Sequence, residues 1–90
     1  MNTAKLMLDE IGGFAGPARC YEMFPPLAGQ RFVTVFTSEA FKNRETVVVP
    51  SYGPDRGGAA KSMQRLPGSV SGFAQHEYAL FVAGYALEEG

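Results

Sequence analysis

The chain has 90 residues, 46% apolar and 19% charged, a composition that predicts one globular domain over 1–90. Eight Lys or Arg against nine Asp or Glu leave a formal charge of -1, which excludes the strongly basic character of a dedicated nucleic-acid binder and an acidic disordered tail. One cysteine and one histidine exclude an internal disulfide and a structural zinc site built from sulfur and imidazole. A chain this small buries only roughly 60 to 65% of its unfolded surface, so its stability is expected near the low end of the usual range.

At the N-terminus, Thr3 is placed to cap a helix over residues 4–11 in which Leu6, Met7 and Ile11 share one face, and Gly12 with Gly13 would stop it. Asp9 and Glu10 interrupt the apolar patch before a signal-peptide core is complete, so no export is expected. Gly16 and Pro17 then break the chain, and residues 1–18 read as an N-terminal helix and linker ahead of a sheet-plus-helix core over 19–87. Arg19 to Phe24 alternates like a strand that Pro25-Pro26 ends.

Arg31 to Thr37 is rich in valine, phenylalanine and threonine, the residues that suit a pleated, half-buried surface. Glu45 to Pro50 repeats that composition, and a hairpin with a seven-residue connection, Ser38 to Arg44, would pair the two runs antiparallel. Ser51 to Ala60, with Gly53, Pro54, Gly57 and Gly58, reads as a mobile loop. Lys61 to Leu66 is a candidate fourth strand before a Pro67-Gly68 turn. Ser71 or Gly72 would cap a helix from Phe73 to Val82, with Ala74, Glu77 or Tyr78, Phe81 and Val82 at helical spacing. Gly84 would stop it, Tyr85 to Leu87 can return as an edge strand, and Glu88 to Gly90 should fray. No run of about 18 apolar residues exists, so a membrane-spanning helix is not expected and the chain reads as soluble and cytoplasmic.

Signals for chemistry are weak. Lys61-Ser62 matches the end of a phosphate loop, but Asp55 and Ala60 occupy the two positions where glycines must let backbone amides wrap the phosphates. Cys20 and His76 are a formal nucleophile and base, which such pairs supply from remote positions; the simpler reading makes Cys20 a small buried hydrophobe. His76 lacks a second histidine for a metal triad, and Glu77 beside it suits an early helical turn. No catalytic, cofactor or metal residue is assigned.

Charge is uneven. Residues 30–65 carry Arg31, Lys42, Arg44, Arg56, Lys61 and Arg65 against Glu39, Glu45 and Asp55, and the rest of the chain is acidic. A basic lobe of this kind can touch phosphates, but no aromatic and basic interleaving accompanies it, and charges guarding a valine-rich hairpin explain it more simply. Seven phenylalanines and four tyrosines exceed what so small an interior is expected to hold, which suggests an interaction surface alongside an aromatic core. Val47 to Val49 carries no charge and would leave an open sheet edge if the fourth strand failed to cover it. Val47, Val48, Val49, Tyr52, Arg44 and Arg56 are therefore the candidate interaction surface, and pairing through that edge predicts a homodimer in preference to a monomer.

The stretch Tyr21 to Leu87 resembles small accessory proteins of unknown function from actinobacterial phages, chiefly mycobacterial ones. The resemblance lies in Pro25-Pro26-Leu27, Phe32-Val33-Thr34-Val35, Glu45-Thr46-Val47-Val48-Val49-Pro50 and a final block of Leu66, Gly68-Ser69, Gly72, His76-Glu77, Leu80 and Gly84-Tyr85. It implies a setting, a phage product inside a bacterial cell, and brings no activity, cofactor or site residue.

The sequence thus predicts an α+β fold: a small, mostly antiparallel sheet of three to five strands, the C-terminal helix on one face, and a short N-terminal helix on the other face or an edge. The expected function is a non-catalytic protein-binding module acting on a host bacterial protein. The alternatives are a nucleic-acid-associated protein using the basic 30–65 region and a small enzyme using Cys20 and His76.

Overall fold

The computed structural model describes residues 2–12, 18–40, 43–72 and 75–88, leaving aside the side chains of 39, 40, 43 and 44. Its strands are β1 (Thr3–Leu8), β2 (Ala18–Leu27), β3 (Gln30–Ala40), β4 (Asn43–Pro50), β5 (Val70–Ser71) and β6 (Ala86–Glu88), joined by the helix α1 (His76–Val82) and a 3-10 turn at Pro54–Arg56. They form one mixed sheet in the order β5-β4-β3-β2-β1-β6. Strands β1 to β4 make an antiparallel meander, and α1 carries the chain from the β5 edge to the opposite edge, where β6 lies parallel to β1. Gly13, Gly16, Pro17, Phe41, Lys42, Phe73, Ala74, Glu89 and Gly90 carry expected breaks, a connection, a helix start and a frayed end, and lie outside the described residues.

This arrangement corrects the expected fold: among the described residues strand far outweighs helix, the sheet has six strands rather than three to five, and the short N-terminal helix is a strand. Residues 4–11 carried helical spacing and strand alternation at once, and an isolated helix of that length gains little in water. Pairing decides between them. Thr3 to Leu6 pairs with Tyr21 to Phe24 on one side, while Thr3 to Lys5 pairs with β6 on the other. A bulge between Leu6 and Leu8 then turns Leu8 toward Cys20 and the opposite face.

Other boundaries shift for local reasons. Pro25-Pro26 does not end β2: the strand runs on to Leu27 through a register shift after Glu22, with a cis peptide at Phe24-Pro25. The β2–β3 turn needs only Ala28 and Gly29, both at positive φ, the backbone twist that suits a two-residue hairpin. The β3–β4 ladder extends to Ala40↔Asn43, so the expected seven-residue connection is mostly strand, its Ser38 and Glu39 facing Glu45 and Arg44. Ser51 to Ala60 closes on itself through a Ser51↔Ala60 bridge and the Tyr52 N–H donating to the Ala59 carbonyl at 2.8 Å. Lys61 to Leu66 forms no strand, and β5 pairs with Glu45 and Thr46 instead.

The sheet buries apolar residues on both faces, as the valine-rich runs require. On the first face, Tyr21, Met23, Val33, Val35 and Val48 pack beneath Ala79 and Leu80 of α1, flanked by Leu66 and Tyr85. On the second face, Ala18, Phe36, Val47 and Val49 pack with Ile11 and Ala60. The 51–60 excursion covers that face. Thr34 Oγ1 donates to the Gly58 carbonyl at 3.0 Å, and Gly58 approaches so closely that a Cβ there would lie 2.8 Å from Ile11 Cδ1.

Candidate functional site

Val47, Val48 and Val49 are buried, so they do not form the open edge expected of them. The segment after β4 closes that edge with single hydrogen bonds rather than a regular strand. The Leu66 N–H donates to the Val48 carbonyl at 2.8 Å, the Val48 N–H donates to Ser69 Oγ at 3.0 Å, and the Lys61 N–H donates to the Pro50 carbonyl at 2.9 Å. With those groups satisfied, the edge that motivated a homodimer is occupied by the chain itself. Arg44 stands in β4 opposite Glu39, and its side chain lies outside the described residues.

Cys20 and His76 stand on opposite sides of the sheet. Cys20 is fully buried on the second face, its Sγ 3.9 Å from Ser51 Oγ and 3.8 Å from the Tyr52 carbonyl, and burial pushes its thiol pKa up. His76 opens α1 on the first face, and burial, then the charge of Arg19, pushes its pKa down. Its Nδ1 is buried without a hydrogen-bond partner. Beside it lies a concavity of about 420 Å³ bordered by Arg19, Tyr21, Thr37, Gln75, Glu77 and Leu87. Arg19 Nε donates to Asp9 Oδ1 at 2.8 Å, and Tyr21 is held neutral by burial against the opposing pull of Arg19. The cysteine cannot reach this concavity. Among the described residues no three His, Cys, Asp or Glu side chains gather as metal ligands.

Among the described residues two exposed clusters stand out, one on each side of the sheet. The first is the outer face of α1. The sequence suggested Ala74, Glu77 or Tyr78, Phe81 and Val82 as the apolar stripe, but the helix turns His76, Ala79 and Leu80 inward, with Ala83 packed beside them. Close approach selects that stripe. A Cβ built on Gly68 would lie 2.6 Å from the Ala79 carbonyl oxygen, so the 67–68 turn sits directly against a small-residue face. Tyr78, Phe81 and Val82, at i, i+3 and i+4, are left together in solvent at 55, 71 and 47% exposure.

The second surface assembles Tyr52 and Arg56, both singled out from the sequence as interaction residues, with Arg31 and Lys61 of the same basic region and with Phe32. The Arg56 guanidinium lies 5.0 Å from the centre of the Tyr52 ring and Lys61 Nζ lies 5.4 Å from it. Arg31 lies 5.3 Å from the Phe32 ring and pairs with Glu22 at 2.6 Å. Gly53 joins the two rings: a Cβ there would be 3.0 Å from Phe32 Cε2, so the Phe32 ring lies under the residue next to Tyr52. The only signal in the sequence was the basic surplus of residues 30–65. The interleaving of rings and cations arises from the closure of the 51–60 excursion over β3.

Compared with family models, curated proteins and solved structures, the chain finds no match in any of the three. No helix among the described residues is long and apolar enough to cross a membrane.

Proposed function

We propose that the chain is a non-catalytic protein-binding module that docks on its partner through the outer face of α1. The observation that carries this reading is the clustering of Tyr78, Phe81 and Val82 on one side of a seven-residue helix whose other side is anchored in the core. Aromatic anchors on a rigid element lose little freedom when they enter a pocket, and such residues dominate the binding energy of interfaces. Only Glu77 among the outward residues of the helix is charged, so the partner surface is an apolar pocket rather than an acidic or basic one. The resemblance to phage accessory proteins supplies the setting, in which the partner is a protein of the bacterial host. Cys20 and His76 stand on opposite sides of the sheet, an arrangement that favours the binding reading over catalysis by that pair.

The test is affinity capture from mycobacterial lysate with three versions of the chain: wild type, Phe81→Asp, and a control altered on the opposite face, Arg56→Ala. A partner retained by wild type and control but lost with Phe81→Asp supports the reading, since a buried aromatic anchor contributes about 2 kcal/mol or more to binding. A partner captured equally by all three refutes it.

A further inference from the structure

From the second face we infer that the Tyr52–Phe32 cluster is a binding site for single-stranded nucleic acid, independent of the α1 surface. Such sites combine aromatic faces on which bases stack with cations that follow the backbone. Both parts are here within a few ångströms. Tyr52 is 38% exposed, Phe32 lies half-buried beneath Gly53, and the charges of Arg56, Lys61 and Arg31 lie 5.0 to 5.4 Å from the two ring centres. Gln30 adds an amide beside Lys61, whose Nζ donates to Gln30 Oε1 at 3.4 Å.

The opposing charges set the strength. Glu22 already holds Arg31, and Asp55 stands beside Arg56 in the 3-10 turn. Arg65, elsewhere in the basic region, is taken by Glu45. Arg56 and Lys61 are thus the cations that reach phosphates, and about two phosphate contacts give a shallow salt dependence, with a log–log slope near -1.4. Binding is therefore weak and suited to low ionic strength, in keeping with the chain's small net charge. Ring faces distinguish this ligand from other polyanions. An acidic peptide would use the cations and leave the rings idle, and a duplex would hide its base faces in its own stack.

The experiment measures anisotropy of a labelled oligothymidine of about twelve nucleotides at about 50 mM salt, against a duplex of equal length and a polyglutamate of matched charge. The expected result is binding of the oligothymidine in preference to both. Tyr52→Ala should weaken it about tenfold while Tyr52→Phe stays near wild type, because stacking needs the ring and not the hydroxyl. Circular dichroism confirms that each variant is folded. Phe81→Asp should leave this binding unchanged, which separates it from the α1 surface. Equal binding of polyglutamate, equal binding of duplex, no binding at low salt, or a folded Tyr52→Ala with wild-type affinity would each overturn the inference.

Discussion

Gly68→Ala should come close to unfolding the protein, and the structure divides the cost into two parts. Gly68 has φ +104°, a conformation that L side chains rarely adopt, and holding alanine there costs about 1–3 kcal/mol. The new methyl would also lie 2.6 Å from the Ala79 carbonyl oxygen, 3.0 Å from Ala83 Cβ and 3.3 Å from Val48 Cγ2. The nearest of these is helix backbone and cannot rotate away, so overpacking adds about 1–3 kcal/mol more. Gly72 isolates the first part. It has φ +86° but nothing within 4 Å of the position of its Cβ, so Gly72→Ala carries the backbone strain alone. Urea unfolding followed by circular dichroism reads the difference. With a slope of about 1 kcal/mol/M, Gly72→Ala should lower the midpoint by about 1–3 M, and Gly68→Ala should lower it by a further 1–3 M or abolish folding. A Gly68→Ala protein as stable as Gly72→Ala would show that the 67–68 turn does not press against α1.

Val48→Lys should unfold the chain rather than dissociate an oligomer, because Val48 is fully buried beneath α1 and an unpaired ammonium there costs several kcal/mol; a folded, merely monomeric variant by light scattering and circular dichroism would contradict this. For pH, burial and Arg19 hold His76 below its ordinary value of 6.5, so the unfolded chain takes up a proton first as pH falls through about 6.5. Stability should therefore decline from there down to the folded-state pKa, and His76→Gln should flatten the fall in melting temperature between about pH 7.5 and 5; an equal fall in both proteins would refute it. Cys20, buried with a raised pKa, should react with a thiol reagent only as fast as the protein opens, whereas immediate modification of the native protein would place it at the surface.

What the sequence made legible was what local composition decides. The runs Arg31 to Thr37 and Glu45 to Pro50 are strands at the centre of the sheet because β-branched residues in continuous series suit burial on both faces. The return of the chain as a strand after Gly84 was also readable. The N-terminal strand was not, because its partner on the outer side, β6, lies at the other end of the chain and no local pattern announces it. The covering of Val47 to Val49 was legible only in part: Lys61 to Leu66 read as a strand able to cover the edge, but it acts through isolated hydrogen bonds from Lys61 and Leu66, and Ser69, beyond the Pro67-Gly68 turn, supplies the third. In α1 two apolar stripes competed, and the close approach of Gly68 chose the one holding Ala79 and Leu80. For the site, Tyr52 and Arg56 were grouped with the Val47 to Val49 edge, which the chain itself covers. Their real neighbours, Lys61, Arg31 and Phe32, come to them only when the excursion folds back over β3.

The orientation of α1 carries the functional reading, and a pair of alanine substitutions tests it most directly. Leu80 is fully buried and Phe81 is 71% exposed, although the two are adjacent in sequence. Measured by urea unfolding, Leu80→Ala should cost about 2–5 kcal/mol, while Phe81→Ala should stay within about 0.5 kcal/mol of wild type. The reverse order, with Phe81→Ala strongly destabilising and Leu80→Ala nearly neutral, would mean that the aromatic stripe is core and that the proposed docking face does not exist.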